Sequence, residues 1–274
     1  MNGKNLGEKE GEGEREREEV REREEVRKRE KARSESILKQ VKPPDLLSLL
    51  NALLGFSAIL LVLDGAAAVE VAVVLILAAA VVDGLDGAVA RRVESSEFGE
   101  YLDSLADLLS FGVAPAVVVC VLLAGSSLAL CVCSAYLVSG MLRLARFNAN
   151  FLEKDLREDL VKGDFKGFPI TMSAVFLASF LLVSLEFDFP FHLSSPLLLG
   201  LTAVLSLLMP SRIKYKKMKE KRVLVPLVLI FFTLFLLFFS PLFALRSLFV
   251  YPAAALLVLT ALYALSPLVL NASK

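Results

Sequence analysis

"VVDGLDGAVARRVESSEFGEYLDSLADLLSFG", residues Val81 to Gly112, sets four aspartates inside or against apolar segments. Asp83 and Asp86 are three apart, and Asp103 and Asp107 are four apart. On helices each pair shares a face, one turn from its mate. The connector "RRVESSEF" then turns the chain back antiparallel, so the two carboxylate pairs can look at each other across a helix interface. Gly99, Asp103 and Asp107 form a stripe at four-residue spacing, while Asp83, Asp86, Gly87 and Ala90 share a face of the preceding helix. Glycine at 87 and 99 removes side-chain bulk there and lets a ligand or the other backbone come close.

Composition says where such a stretch must live. With 56% hydrophobic residues over 274 positions and a mean hydropathy of +0.64, the chain has more apolar surface than one soluble core can hide, which places it among integral membrane proteins. A net charge of zero conceals a segregation, because charge is packed into the first forty-odd residues and a few short clusters. Before Pro43 the hexapeptide REREEV occurs twice, Arg15 to Val20 and Arg21 to Val26, followed by a basic run through Arg33. Such a segment cannot bury a core; residues 1–42 read as a charged cytoplasmic tail, disordered or a solvated helix held by Glu/Arg pairs.

From there on the pattern is all-α: a polytopic membrane helix bundle of about eight transmembrane helices, occupying residues 43–274. The candidate spans run near Leu46–Leu63, Val69–Ala90, Tyr101–Leu123, Leu128–Leu144, Pro169–Leu185, Pro196–Met209, Val223–Phe239 and Ser247–Val269, each set against the roughly 20 helical residues that cross a hydrocarbon core. Lys and Arg fix the orientation. With the tail in the cytoplasm, Arg91, Arg92, Arg143, Arg146, the cations of Lys154 to Lys166, the run "RIKYKKMKEKR" from Arg212 and Lys274 fall on one side, leaving Arg246 outside. The protein is thus expected to be a multi-pass cell-membrane protein with both termini cytoplasmic and the aspartates at the cytoplasmic mouth of spans two and three.

Four carboxylates so close together at membrane depth repel one another and lose solvation, so something must neutralise them. A shared proton would serve a relay, as in a cation- or proton-coupled transporter. Divalent cations match oxygen ligands better, and two of them cancel four charges. Two metals clamped between carboxylates hold attacking and leaving oxygens during displacement at phosphorus, and Arg91, one turn beyond Gly87, would be a donor to phosphate. Other chemistries lack residues. His192, the single histidine, lies in "FDFPFHLSS" on the far side, which disfavours Ser-His-Asp catalysis and a His-ligated zinc. Cys120, Cys131 and Cys133 sit in apolar runs without a pairing pattern and read as small buried hydrophobes. Nothing in the charge pattern suggests a nucleic-acid partner.

Asp83, Asp86, Gly87, Ala90, Arg91, Gly99, Asp103 and Asp107 resemble the signature of the CDP-alcohol phosphatidyltransferase family, DxxDGxxAR followed after a gap by GxxxDxxxD. One feature departs from the pattern: seven residues, Arg92 to Phe98, separate Arg91 from Gly99 where eight are usual, which implies a tightened connector. "DSLADLLSFGVAPA" from Asp103, "RLARFN" from Arg143, "FKGFPIT" from Phe165 and "LMPSRIKY" from Leu208 look like the serine-accepting branch, the CDP-diacylglycerol–serine O-phosphatidyltransferases, including the archaeal form that acts on ether lipids.

The resemblance implies an enzyme of phospholipid biosynthesis, a metal-dependent transferase with its active site at the cytoplasmic face. It would move a phosphatidyl or archaetidyl group from a CDP-lipid to the hydroxyl of L-serine and release CMP. Asp83, Asp86, Asp103 and Asp107 would hold two Mg2+ or Mn2+ ions, with Asp107 also the catalytic base; Gly87, Ala90, Arg91 and Gly99 would line the CDP moiety. Serine brings a carboxylate, for which Arg143 and Arg146 are the nearest cations in the pattern and Arg212 and Lys214 second candidates. Asn148 could bond substrate or backbone. The family also implies a homodimer among membrane lipids. Glycerol phosphate or inositol phosphate as acceptor would keep the chemistry and demand a denser basic pocket.

Overall fold

The computed structural model describes residues 41–65, 68–90, 97–154, 165–187, 191–215, 221–241 and 247–272. Apart from Val41 and Lys42, the tail lies outside them, as does the connector at 91–96 with Arg91. The chain is mostly helical. In order come α1 (Pro43–Asp64), α2 (Val69–Ala90), α3 (Glu97–Asp107), a π-helical segment (Leu108–Val113), α4 (Ala114–Leu122), α5 (Ser127–Lys154), α6 (Ile170–Glu186), α7 (Phe191–Leu208), α8 (Lys221–Phe238), a 3-10 turn (Ser247–Phe249) and α9 (Val250–Ala272). Two-residue strands, β1 (Phe165–Lys166) and β2 (Lys214–Tyr215), pair antiparallel, with Phe165 opposite Tyr215.

Local chemistry sets these boundaries. α1 opens on Pro43 and Pro44, which a first helical turn tolerates because its N–H groups have no intrahelical partner. α6 opens behind Pro169, whose extended backbone (ψ 138°) delivers the chain to the helix. Between α4 and α5 the chain turns through Ala124 and Gly125, both at positive φ.

Among the described residues four helices are long and apolar enough to cross a membrane: Pro43–Asp64, Phe98–Leu122, Ser127–Ala149 and Val250–Pro267. The second is α3, the π segment and α4 run together. Shorter apolar helices cover Ile170–Glu186, Ser195–Leu208 and Leu227–Phe238. The exterior agrees with a lipid setting. On α1, Leu46, Leu49, Leu50, Leu53, Phe56 and Leu60 are exposed, while Asp45, Ser48, Asn51, Gly55 and Ala58 are buried. Apolar-out, polar-in is a stable arrangement in hydrocarbon. Ser179, Thr202, Ser206 and Thr260 are buried and return their hydroxyls to the carbonyl four residues back, so these four donors are satisfied within their own helices.

α2 runs through the middle. Ala72, Val73, Val74, Ile76, Leu77 and Ala79 are buried, and α1, α4, α6 and α8 pack around it. α9 lies on α6 and α8, and α5 on α4 and α7. Compared with the expected spans, α5 continues from Leu144 to Lys154 because its polar continuation is itself helical. Two further features had no counterpart in the sequence pattern, the π segment directly after Asp107 and the small β ladder.

Candidate active site

α2 and α3 carry the four aspartates, and the fold brings three of them to one point. The carboxylates of Asp83, Asp103 and Asp107 offer oxygens that all lie within 4.8 Å of one another. Asp86, one turn along α2 from Asp83, is buried beside them and turns toward α1. Asp83 and Asp86 are both like-charge neighbours of Asp103, as is Glu100.

Neutral donors from other helices hold these groups. Ser48 Oγ donates to Asp86 Oδ2 at 2.7 Å. Asn51 Nδ2, one turn further along α1, donates to Asp107 Oδ1 at 3.2 Å. Thr171, the second residue of α6, donates to Asp83 Oδ2 at 3.3 Å. Among the described residues of this centre, Oδ1 of Asp86 and Oδ1 of Asn51 are buried without a hydrogen-bond partner, as is Oγ of Ser173 on α6. A buried acceptor without a donor is costly, and both Oδ1 atoms are hard oxygens of the kind that divalent cations select.

The π segment explains how Asp107 is placed. Its wide turn follows directly on that residue, a location such turns often take at functional sites. Ser110 in this turn donates to the Asn51 carbonyl at 2.7 Å, and Tyr136 of α5 donates to the Phe111 carbonyl at 3.1 Å. Gly55 permits the approach: a Cβ there would overlap Ser110. α1 and the π turn are thereby locked together, with Asn51 bonded to the segment on one side and to Asp107 on the other.

The two arginines of "RLARFN" do different things. Arg143 is half-buried, its guanidinium 5.8 Å over the Phe147 ring and within electrostatic reach of Asp107 and Asp83. Arg146 reaches toward the end of α7. Its Nη1 donates to the carbonyls of Pro210 and Ser211, each at 3.1 Å, and its Nη2 to Met209 at 3.4 Å. Gly167 fits beneath this clamp at φ +86°, where a Cβ would meet the Met209 carbonyl and lie 2.5 Å from Arg146 Nη2. Asn148 Oδ1 accepts from Ser104 of α3 at 2.9 Å.

The remaining expected positions are less informative. Gly87 and Ala90 fall in the last turn of α2 and Gly99 in the first turn of α3, so the backbone carries all three to the carboxylate end of the hairpin. His192 falls in the first turn of α7, at the opposite end of that helix from the Arg146 clamp. Arg212 and Lys214 are exposed around β2.

The sequence profile of the CDP-alcohol phosphatidyltransferase family matches residues 41–208, which include every residue of this carboxylate centre. The chain belongs to that family. It is 37% identical over 188 residues to the archaetidylserine synthase of Methanothermobacter thermautotrophicus, covering 64% of this chain and 69% of the relative. To the CDP-diacylglycerol–serine O-phosphatidyltransferase of Methanocaldococcus jannaschii it is also 37% identical over 188 residues, 68% of this chain and 79% of the relative. The like-named protein of Helicobacter pylori strain J99 is 36% identical over 177 residues, with 62% and 71% covered.

Members of the family typically use a divalent metal, and the residues present fit one. Three converging carboxylates form an all-oxygen donor set, and the unpartnered Oδ1 atoms of Asp86 and Asn51 belong to residues that neighbour it. Sequence reasoning missed Ser48, Asn51 and Thr171. A signal for the first two was present, since Ser48, Asn51 and Gly55 interrupt a leucine-rich helix at spacings of three and four, the same stripe logic that exposed Asp103 and Asp107. Thr171 had no stripe of this kind, and its only signal was its place at the end of "FKGFPIT", because it is the bundle and not its own helix that brings it to Asp83.

Proposed function

We propose that the protein is a CDP-lipid:serine phosphatidyl- or archaetidyltransferase, with the carboxylate centre as its active site. The convergence of Asp83, Asp103 and Asp107 carries this reading, and the serine-named relatives support the acceptor. Two divalent ions, Mg2+ or Mn2+, held by Asp83, Asp86, Asp103 and Asp107 would neutralise these carboxylates and the pyrophosphate of the CDP-lipid when bound.

The chain's own groups do the rest. Asp107 takes the proton from the serine hydroxyl. The serine oxygen bonds to the phosphorus that bears the lipid, the bond from that phosphorus to the bridging oxygen breaks, and CMP leaves with that oxygen. Asn51 holds the Asp107 carboxylate in place by its amide, and Ser110 holds Asn51 through its carbonyl. Arg143 serves the serine carboxylate; its planar fork and its place beside Asp107 suit a bidentate anion next to the base. Arg146 orders the 209–211 turn against α5 beside it. Gly87, Ala90, Arg91 and Gly99 line the CDP moiety.

Eight membrane-crossing helices, with the termini and the active site on the cytoplasmic side and residues 1–42 as a charged tail outside the membrane domain, complete the reading, as does a homodimer. What supports a site at a membrane face is that the bonds among α1, α2, α3 and α6 around the carboxylates lie toward one end of the bundle. That is where a water-soluble amino acid and a lipid-anchored phosphate can meet.

The decisive experiment is CMP release by the purified chain given a CDP-lipid, labelled serine and Mg2+ or Mn2+, alongside Asp107→Asn. Metal-dependent CMP release with label entering the lipid, abolished by the substitution, is the expected result. Release with glycerol phosphate or inositol phosphate and none with serine overturns the acceptor, and no release with any acceptor overturns the reading.

A further inference from the structure

Away from the carboxylates, α6, α7, β2 and α9 enclose a slot of about 450 Å3. Phe176, Leu201, Leu205, Ile213, Tyr215 and Leu265 contribute to its wall. The Tyr215 hydroxyl is already given to the Ala264 carbonyl at 3.4 Å. The slot therefore presents carbon to whatever fills it. Its size lies in the range of about 300–1,000 Å3 in which proteins hold ligands, and the lack of convergent polar groups excludes serine, nucleotide or a bound water as the specific occupant. Val204 and Leu265 on its rim are 52% and 53% exposed, so it opens toward a surface that in a membrane chain faces hydrocarbon.

Charge distinguishes this slot from a plain lipid-facing groove. Ile213, in the wall, is flanked by Arg212 and Lys214, both exposed. Strand alternation sends Tyr215 inward and Lys214 outward. An apolar slot with two cations at its lip complements an amphiphile whose chain enters the slot while its phosphate stays at the interface. None of the carboxylates lines it, and aromatic rings pack behind Tyr215 in its wall. Tyr215 meets Phe168 edge-on at 5.4 Å and Tyr263 at 5.5 Å, and Tyr263 in that cluster is an electrostatic neighbour of Arg143.

We propose that this slot holds one hydrocarbon chain of an anionic bilayer phospholipid, with the headgroup phosphate paired to Arg212 and Lys214. The lipid is a resident of the membrane, separate from the reacting CDP-lipid. This site does not depend on the acceptor assigned above, because it uses none of the carboxylate centre.

The chain has no tryptophan, so an introduced one is a unique reporter. Leu265→Trp and Val204→Trp place it on either rim of the slot, and Leu262→Trp places it on the same helix as Leu265, exposed but outside the slot wall. The full-length protein would be reconstituted in phosphatidylcholine nanodiscs carrying chain-brominated phosphatidylglycerol or chain-brominated phosphatidylcholine. The expected result is quenching at both rim positions with a preference for phosphatidylglycerol of at least about fivefold for each cation, and no preference at Leu262→Trp. Arg212→Gln combined with Lys214→Gln should abolish the preference. Equal quenching by the two lipids at both rim positions overturns the proposal, as does a preference that survives the double substitution. Displacement of the brominated phosphatidylglycerol by saturating CDP-lipid also overturns it, since the slot then belongs to the substrate.

Discussion

Two walls meet at the carboxylate centre, and they are made of different material. One, from α2 and α3, carries Asp83, Asp86, Asp103 and Asp107. The other, from α1 and the start of α6, meets them chiefly with neutral donors: Ser48, Asn51 and Thr171 each give one neutral hydrogen bond to a different aspartate, and Asp45 of α1, a like-charge neighbour of Asp86, is its one acidic group there among the described residues. On the proposed function the charged wall would supply the ligands and the base, and its carboxylates repel one another. The neutral donors of the second wall set the direction in which Asp83, Asp86 and Asp107 point, and groups in that supporting role are often worth one to two orders of magnitude in affinity or rate. Loss of function should therefore be graded by wall.

The largest effect belongs to the charged wall. Asp107→Asn keeps the shape and removes the base and one anionic ligand, and CMP release should fall by about a thousandfold or more. Asp83→Asn should behave similarly, and chelation of the metal from the unaltered protein should match both. If Asp107→Asn kept a tenth of the activity, the division of labour between the walls would be wrong at its strongest point.

Asn51→Leu tests the neutral wall. The substitution leaves every aspartate in place, strips the donor from Asp107 Oδ1 and removes the unpartnered Oδ1 of Asn51. CMP release should drop roughly tenfold to a hundredfold, with a rise in the metal concentration needed for half-maximal rate. A loss as deep as that of Asp107→Asn would promote Asn51 from positioning residue to direct participant. An unchanged metal requirement would show that its side chain acts on Asp107 as the base and not on metal binding, since the backbone carbonyl that Ser110 holds survives the substitution.

The arginine pair sharpens the comparison along a single helix. Arg143→Gln should raise the KM for serine by roughly tenfold, the size of one charged hydrogen bond, and leave the KM for CDP-lipid near its starting value. Arg146→Gln removes donors to three backbone carbonyls and should lower thermal stability in detergent while moving serine KM less than Arg143→Gln does. The reverse ranking of the two KM values would exchange their roles.

How much of this could be read beforehand follows from contrast against background. Asp83, Asp86, Asp103 and Asp107 were legible because ionised groups in an apolar run have no structural reason to be there, and their spacing named the shared faces. The helical bundle was legible for the same reason in reverse, from unbroken apolar length. Ser48 and Asn51 were passed over inside a span, since a serine or asparagine in a leucine-rich helix can bond its own backbone and needs no explanation. The π turn left no trace, because Leu108–Val113 is as apolar as any α-helical stretch and its geometry is imposed by Asn51, Tyr136 and Gly55 from other elements. The division between Arg143 and Arg146 depended on where the end of α7 falls, which no local pattern encodes.

The smallest effect comes from the other face of α1, and it separates position from composition. Gly55 and Leu53 are two residues apart. A Cβ at Gly55 would overlap Ser110, whereas Leu53 is 62% exposed on the lipid side. Gly55→Val must push α1 off the π turn, and overpacking of this kind costs typically about 1–3 kcal/mol; it should lower the melting temperature in detergent and reduce CMP release by disturbing Asn51. Leu53→Ala changes side-chain bulk by as many carbons but leaves no cavity between helices, since lipid fills the gap, and its effect should stay within about 0.5 kcal/mol with CMP release unchanged. Were Leu53→Ala the more damaging of the two, the exposed leucines of α1 would have to be packed against protein, and the lipid-facing assignment of that helix face would fall.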